Sequence, residues 1–138
     1  MARLRSSIVL AALLACTSLL AGNALAQDLT LTGAQEVPPN TSVATGTASI
    51  RIDADGNVSG SVSAPTLQAR TAHIHIGAPG MNGPIVISLS GGDPGMFTVP
   101  EGAKLTPDQM TAYKAGNLYV NVHTAEHPGG EIRAQLKP

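Results

Sequence analysis

The sequence is poor in cysteine and in aromatic residues, and both scarcities limit what the protein can be. Its 138 residues include one cysteine, no tryptophan, one phenylalanine and two tyrosines. A single cysteine excludes the intramolecular disulfide framework that many small exported domains use. With so few aromatic rings, the hydrophobic core has to be built from valine, isoleucine, leucine and alanine.

Charge is also scarce, and no strongly basic segment stands out. The chain has 8 basic and 9 acidic residues. If Arg3 and Arg5 are removed with an N-terminal signal, 6 basic residues remain against 9 acidic ones, a net charge of −3 with neutral histidines. Such a chain has no patch that attracts nucleic acid, so we expect no nucleic-acid partner.

The motifs of the common enzyme classes are missing. The sequence has no Gly-x-Ser-x-Gly elbow, no P-loop and no dinucleotide-binding fingerprint. No pair of carboxylates is placed by sequence for acid and base work. We therefore assign no catalytic residue and no organic cofactor, and we favour a role other than ordinary hydrolysis or nucleotide chemistry.

The first 26 residues have the three zones of a secretory signal peptide. Two arginines precede an apolar run over residues 8–20, and residues 24–26 (ALA) resemble the small-residue cleavage site. Cleavage before Gln27 leaves one domain, residues 27–138, in the periplasm or outside the cell. The apolar run is too short for a comfortable transmembrane span, which takes about 20 apolar residues, so we predict no transmembrane segment.

A second interpretation of the same segment is lipidation. Residues 13–16 (LLAC) resemble the lipobox at which bacterial lipoproteins are cleaved and acylated on cysteine. The apolar run continues past Cys16 and a good cleavage site follows, which favours the signal peptide. Cys16 then leaves with the signal, and the mature chain offers neither a thiol nucleophile nor a cysteine metal ligand.

Short segments of alternating apolar and polar residues dominate the rest of the chain. Turn residues such as Pro38-Pro39, Asp55-Gly56 and Pro128-Gly129-Gly130 separate them. Period-two alternation with regular turns is typical of an antiparallel β-sandwich or barrel, so we predict an all-β fold of Greek-key type. Its strands are expected over residues 29–31, 48–52, 58–62, 72–76, 85–89, 118–122 and 132–136.

One segment breaks this pattern and predicts a short helix. Residues 106–109 (TPDQ) supply an N-cap, a proline at the first helical position and the glutamine of a capping box. Gly116 provides a stop. Met110 and Tyr113 lie three positions apart on this helix, so we expect both to pack onto the sheet.

The most informative residues are four histidines: His73, His75, His123 and His127. Alternation in residues 72–76 (AHIHI) places the alanine and both isoleucines on one face and both histidines on the other. The same rule sends the tyrosine, asparagine and histidine of residues 118–123 (LYVNVH) to the outer face. We therefore expect at least three histidines on the outside of the sheet.

These histidines form a candidate metal site. Two imidazoles spaced i, i+2 on a strand lie about 7 Å apart along the backbone and can turn onto one ion between them. His123 would complete a three-nitrogen site, and His127 is a fourth candidate ligand. Such a site suits zinc or copper, and among divalent first-row metals Cu(II) binds a given nitrogen site most tightly. Met81 could add a thioether ligand for Cu(I).

The histidines and Arg133 can each be interpreted as structural residues instead of functional ones. The histidines could be unrelated surface residues, since an H-x-H pair is a weak motif and the sequence does not show that the two strands are neighbours. Arg133 shares a face with Glu131 on the last predicted strand. It either orients an anion near a metal or, as we favour, makes a cross-strand ion pair or bonds to loop carbonyls.

Several blocks of the sequence resemble the CHRD domain, which is named after the secreted animal protein chordin. The resemblance covers residues 29–136, and Ala134 is a mild departure from the glycine usual there. His127 falls where the pattern specifies little. The matching blocks are 31–39 (LTGAQEVPP), 72–75 (AHIH), 82–86 (NGPIV), 116–124 (GNLYVNVHT) and 130–136 (GEIRAQL).

The resemblance implies an exported bacterial single-domain protein with an immunoglobulin-like or superoxide-dismutase-like sandwich. Copper/zinc superoxide dismutases also place an H-x-H pair and distant histidines outside a β-barrel, which is an analogy of fold and spacing. Our first hypothesis is copper, or alternatively zinc, binding for storage, delivery or tolerance. The alternative is an extracellular protein-interaction module without metal, and the third is a copper enzyme of the superoxide-dismutase kind.

Overall fold

Alternation along the sequence produces a strand at every predicted position. The computed structural model describes residues 25–92 and 94–138, so Cys16 and most of the predicted signal segment lie outside the described residues. The described elements are β1 (Gln27–Thr32), a 3-10 turn (Gly33–Gln35), β2 (Thr45–Ile52), β3 (Val58–Ser63), β4 (Ala69–Ile76), β5 (Ile85–Ser88), β6 (Ser90–Gly91), β7 (Met96–Thr98), α1 (Pro107–Lys114), β8 (Leu118–Thr124) and β9 (Ile132–Gln135).

The strands form one antiparallel sheet that curls into a nearly closed barrel. Their order is β5-β4-β8-β9-β1-β2-β3-β7-β6. Only Leu89 separates β5 from β6, and its amide donates to the Ala72 carbonyl oxygen of β4 at 3.0 Å. β5 and β6 therefore act as one strand that pairs with β4 at its start and with β7 at its end. The two edges of the sheet meet along it.

The connectivity is that of a Greek key. β4, the combined β5 and β6 strand, and β7 are successive neighbours, and β8 then returns to pair with β4. The predicted all-β Greek-key fold is confirmed, in its barrel form.

Alternation also decides which side chains fill the barrel. Ala72 and Ile74 of β4 and Val120 of β8 are completely buried in an aliphatic core. Since successive side chains of a strand point to opposite faces, the residues between them point out of the barrel. The outer face of β4 and β8 therefore carries the histidines, as the sequence predicts.

Two short strands were not predicted from the sequence. The sequence predicts no strand between residues 89 and 118, but Ser90–Gly91 and Met96–Thr98 pair with each other. Strands of two and three residues are too short to show an alternating pattern. Within the described residues, no helix is long and apolar enough to cross a membrane.

The predicted helix is confirmed with its capping box. The Thr106 hydroxyl accepts from the Gln109 amide at 3.2 Å, and the Gln109 side-chain oxygen accepts from the Thr106 amide at 2.8 Å. Tyr113 is buried and Met110 is half-buried against the core, as expected. The helix leads through Gly116, whose φ is 76°, directly into β8.

Replacing Thr106 by alanine should destabilise the fold by about 1 kcal/mol, the usual cost of losing an N-cap side chain. Urea unfolding followed by circular dichroism measures this difference. Thr111→Ala is the matched control, because Thr111 lies inside the same exposed helix, where alanine is a better helix former than threonine. Equal losses in the two variants would contradict the capping role.

Candidate metal centre

The histidines lie on the outer face of the sheet, as predicted, but much of that face on β4, β8 and β9 is buried. Tyr119, Asn121 and Arg133 point out of the barrel but are only 2 %, 2 % and 1 % exposed. His75 is 8 % exposed, and His73 and His123 are half-buried. Loops at this end of the barrel lie over the face, so its polar groups are removed from water.

The loop of residues 77–84 forms part of this cover. Its Ala78 carbonyl oxygen accepts from the Arg133 guanidinium at 3.2 Å, and its Gly77 carbonyl oxygen accepts from the Gln135 side chain at 2.7 Å. At Gly83 an added Cβ would collide with the Ile76 carbonyl oxygen, so glycine permits the close approach of loop and strand. This approach brings the Gly83 carbonyl group to His75.

A second cover is the loop between β8 and β9, which Glu131 holds in place. The Glu131 carboxylate accepts from the Thr124 hydroxyl at 2.6 Å and from the Ser42 hydroxyl at 2.7 Å. Glu131 thereby ties this loop to the segment before β2. The Pro128 carbonyl group is then fixed beside His123.

Strand pairing brings three of the predicted ligands together. β4 and β8 are neighbours, with Thr71 opposite His123 and His73 opposite Asn121. The Nδ1 atom of His73 lies 3.0 Å from the Nε2 atom of His123. One ring nitrogen from each of His73, His75 and His123 lies within 4.8 Å of the others. This spacing allows the three rings to share one ion.

Backbone carbonyl groups determine which nitrogens face the centre of this cluster. The Nδ1 atom of His75 lies 2.9 Å from the Gly83 carbonyl oxygen, and the Nδ1 atom of His123 lies 3.0 Å from that of Pro128. A carbonyl oxygen only accepts, so both Nδ1 atoms carry the proton in the neutral rings. Both Nε2 atoms therefore carry a lone pair instead of a proton, the arrangement found when histidine ligates a metal.

His75 shows the consequence most clearly. Its Nε2 atom is buried and makes no hydrogen bond of acceptable geometry, although the Asn121 side chain lies near enough to the ring to act on its pKa. Its ring stacks on Tyr119, with 4.8 Å between the ring centroids and an interplanar angle of 2°, so the lone pair has a fixed direction. A buried acceptor without a partner costs about 1–3 kcal/mol, and a bound cation would remove that cost.

Burial lowers the pKa of all three histidines. The pKa of His73 falls to about 4, because burial disfavours its charge and because charged His123 and His75 would repel it. Burial is also the main cause of the lowered pKa of His75 and of His123, against the opposing hydrogen bonds to Gly83 and Pro128. The rings are therefore neutral at neutral pH, which is the form that binds metals.

The other candidate ligands are His127 and Met81. His127 is in the loop between β8 and β9, where its backbone bonds to Thr124 and Gly130, and it is not part of the three-histidine group. A positive charge on its ring would lower the pKa of the buried carboxyl groups of Glu36 and Glu131. Met81 is 60 % exposed on the loop of residues 77–84.

Arg133 has a structural role. Its guanidinium lies 3.4 Å from the centre of the Tyr119 ring and bonds to the Ala78 carbonyl oxygen and to Gln135. At 1 % exposure it has no surface for an external anion. It supports the tyrosine on which His75 stacks, in agreement with the bonding to loop carbonyls that we favoured.

Two residues of the site escaped sequence reasoning. Asn121 was placed on the correct face, but nothing in its type pointed to a role; its side-chain oxygen lies 2.9 Å from the His123 Nε2 atom. Glu36, from the 3-10 turn region, is 4 % exposed, and its carboxyl group lies beside the Asn121 amide nitrogen. A glutamate beside two prolines gives no such signal, although this block is among those that carry the family resemblance.

Comparison with known proteins gives one match. The family model described as the CHRD domain matches residues 28–136. No curated protein and no solved structure matches the chain.

The lowered histidine pKa values predict acid-sensitive stability of the metal-free protein. His73 takes up its proton near pH 6.5 when unfolded but near pH 4 when folded, so its contribution is complete above pH 6.5 and is lost as the pH falls toward 4. At pH 5 unfolding should therefore take up about one proton more than it does in His73→Gln. Urea midpoints of both chelator-treated proteins between pH 7 and pH 4 measure the difference; parallel curves would contradict it.

Proposed function

The chain belongs to the CHRD domain family, and we propose that it is an exported member that binds one copper ion through His73, His75 and His123. The observation that carries this proposal is the unpartnered Nε2 atom of His75. It belongs to a buried ring whose other nitrogen is committed to a carbonyl oxygen and whose orientation is fixed by stacking. A metal ion supplies the partner that this lone pair lacks.

In the metal-free protein, His73 interacts with the other ligands through its ring proton. Because Nε2 of His123 is an acceptor, the Nδ1–H group of His73 donates to it across the 3.0 Å contact. A metal ion would take the place of this proton, and the proton of the neutral His73 ring would then reside on Nε2. Metal binding therefore needs a change of tautomer in one ring only.

Copper is favoured over zinc by the chemistry of the donors. The three ligands are neutral imidazoles, without the thiolates that make up many structural zinc sites. Cu(II) binds a given set of nitrogen donors more tightly than Zn(II) does. Three neutral ligands also leave the charge of the ion uncompensated, so nearby carboxylates gain importance.

Export fits this function. The predicted signal peptide directs the chain to the periplasm or the outside of the cell, where copper is met without cytoplasmic thiols as competitors. Removing Cys16 with the signal leaves no thiolate donor in the mature domain, so histidine imidazoles are its main candidate ligands for copper. We assign it to copper storage, delivery or tolerance.

The purified, chelator-stripped protein should bind one equivalent of Cu(II), and the double variant His73→Ala/His75→Ala should lose this binding. Titration followed by visible absorption and calorimetry measures the stoichiometry, and circular dichroism checks that the variant is folded. Zn(II) titrated under the same conditions should bind more weakly.

His127→Ala is the matched control, because it removes an imidazole from a neighbouring loop without touching the three ligands. It should bind Cu(II) like the wild type. Equal loss in His127→Ala would place the ion elsewhere. Absence of binding by the folded wild type would contradict the proposal and leave the protein-interaction module as the function to test.

A further inference from the structure

Asn121 lies at the centre of the three-histidine group without being a histidine. It is 2 % exposed, stands opposite His73 in the pairing of β4 with β8, and precedes His123 by two residues on the same face. Its Oδ1 atom lies 2.9 Å from the Nε2 atom of His123. The same Nε2 atom is 3.0 Å from the Nδ1 atom of His73.

The contact between the Oδ1 atom of Asn121 and the Nε2 atom of His123 is unfavourable unless a cation is present. The Pro128 carbonyl oxygen holds the proton of neutral His123 on Nδ1, so Nε2 has only a lone pair to offer. An amide oxygen also offers only lone pairs. Two acceptors at 2.9 Å repel each other, whereas a metal ion bound to both atoms converts the contact into two favourable ones.

The orientation of the amide depends on Glu36. The Asn121 amide nitrogen and the Oε1 atom of Glu36 are neighbours, because both lie 2.5 Å from the point that a Cβ atom of Gly130 would occupy. The interaction with Asn121 lowers the pKa of Glu36, and a carboxylate can only accept. The amide nitrogen therefore faces Glu36, which turns the oxygen toward His123. The opposite orientation would set the amide oxygen against the carboxylate.

Gly130 makes room for this pair. A Cβ atom at this position would lie 2.5 Å from the Asn121 amide nitrogen and 2.5 Å from Oε1 of Glu36. Its φ of 126° is also one that other residues rarely adopt. The glycine thus lets the loop between β8 and β9 close over Glu36 and Asn121 together.

Glu36 itself is not satisfied by the protein. It is 4 % exposed, and Oε1 has no hydrogen-bond partner. Burial raises its pKa, while the interaction with Asn121 and the charge of Arg133 act the other way. A buried carboxylate of this kind is stabilised by a cation nearby, and three neutral imidazoles leave the charge of a bound ion to be balanced.

We propose that the side-chain oxygen of Asn121 is a fourth donor to the metal and that Glu36 is the positioning residue that points it there. This inference rests on the metal binding proposed above. Outer residues that orient a ligand typically account for about 10–100-fold in metal affinity. Glu36 acts in the same way on an amide ligand.

The test is Cu(II) titration of Glu36→Gln and Asn121→Ala beside the wild type. Glutamine at position 36 has nearly the same shape but can donate to the amide oxygen, which turns the amide nitrogen toward the metal. Both variants should bind Cu(II) about 10–100-fold more weakly. The electron paramagnetic resonance spectrum of bound Cu(II) should change in both, because a donor atom is lost, and a merely structural role would leave it unchanged.

Glu126→Gln is the matched control, since it removes an exposed carboxylate from the same loop region and should leave affinity and spectrum as in the wild type. Wild-type affinity and an unaltered spectrum in both Glu36→Gln and Asn121→Ala would overturn this inference and keep the three-histidine site. A folded wild type that binds no Cu(II) would overturn the metal site itself, and the inference with it.

Discussion

The candidate site depends on two hydrogen bonds from histidine rings to backbone carbonyl groups. The bonds of His75 to Gly83 and of His123 to Pro128 use up the single ring proton of each neutral imidazole. They leave two Nε2 lone pairs in a confined region beside His73. Without these bonds the rings could turn or change tautomer, and protonated Nε2 atoms could then donate ordinary hydrogen bonds to neighbouring acceptors.

Pairing of the barrel strands sets the distances between the three histidines, and two loops bury their rings. Pairing of β4 with β8 sets His73 and His75 beside the strand that carries His123. The loop of residues 77–84 and the loop between β8 and β9 cover that face and carry the two carbonyl groups. Burial then lowers the pKa of each histidine, which keeps the rings neutral and ready to bind a cation.

The alternation of apolar and polar residues correctly predicts on which face of the sheet each side chain lies, but it does not predict whether loops bury that face. It placed Ala72, Ile74 and Val120 in the core and the histidines outside, because the two-residue period of a strand is independent of its neighbours. It could not show that β4 and β8 pair, since β5, β6, β7 and α1 lie between them in the sequence. It also could not show that the outer face is buried, because burial there comes from loops.

The same limit explains which residues were missed. Asn121 and Glu36 are far apart in the chain, and their contact exists only because the 3-10 turn region and the loop between β8 and β9 meet over β8. By contrast, the capping box of α1 was evident, because all its partners lie within residues 106–109. Local hydrogen bonding can be predicted from sequence, whereas a site assembled by loops requires the fold.

The proposed metal centre depends on which ring nitrogen is protonated in His75 and in His123. Nitrogen NMR of the metal-free protein at neutral pH measures these tautomers directly. Long-range proton–nitrogen correlation spectra distinguish a protonated from an unprotonated ring nitrogen. We expect both rings to be neutral, with the proton on Nδ1 and no proton on Nε2. Protonated Nε2 atoms in these two rings would mean that the carbonyl groups do not set the site, and the metal centre would lose its physical basis.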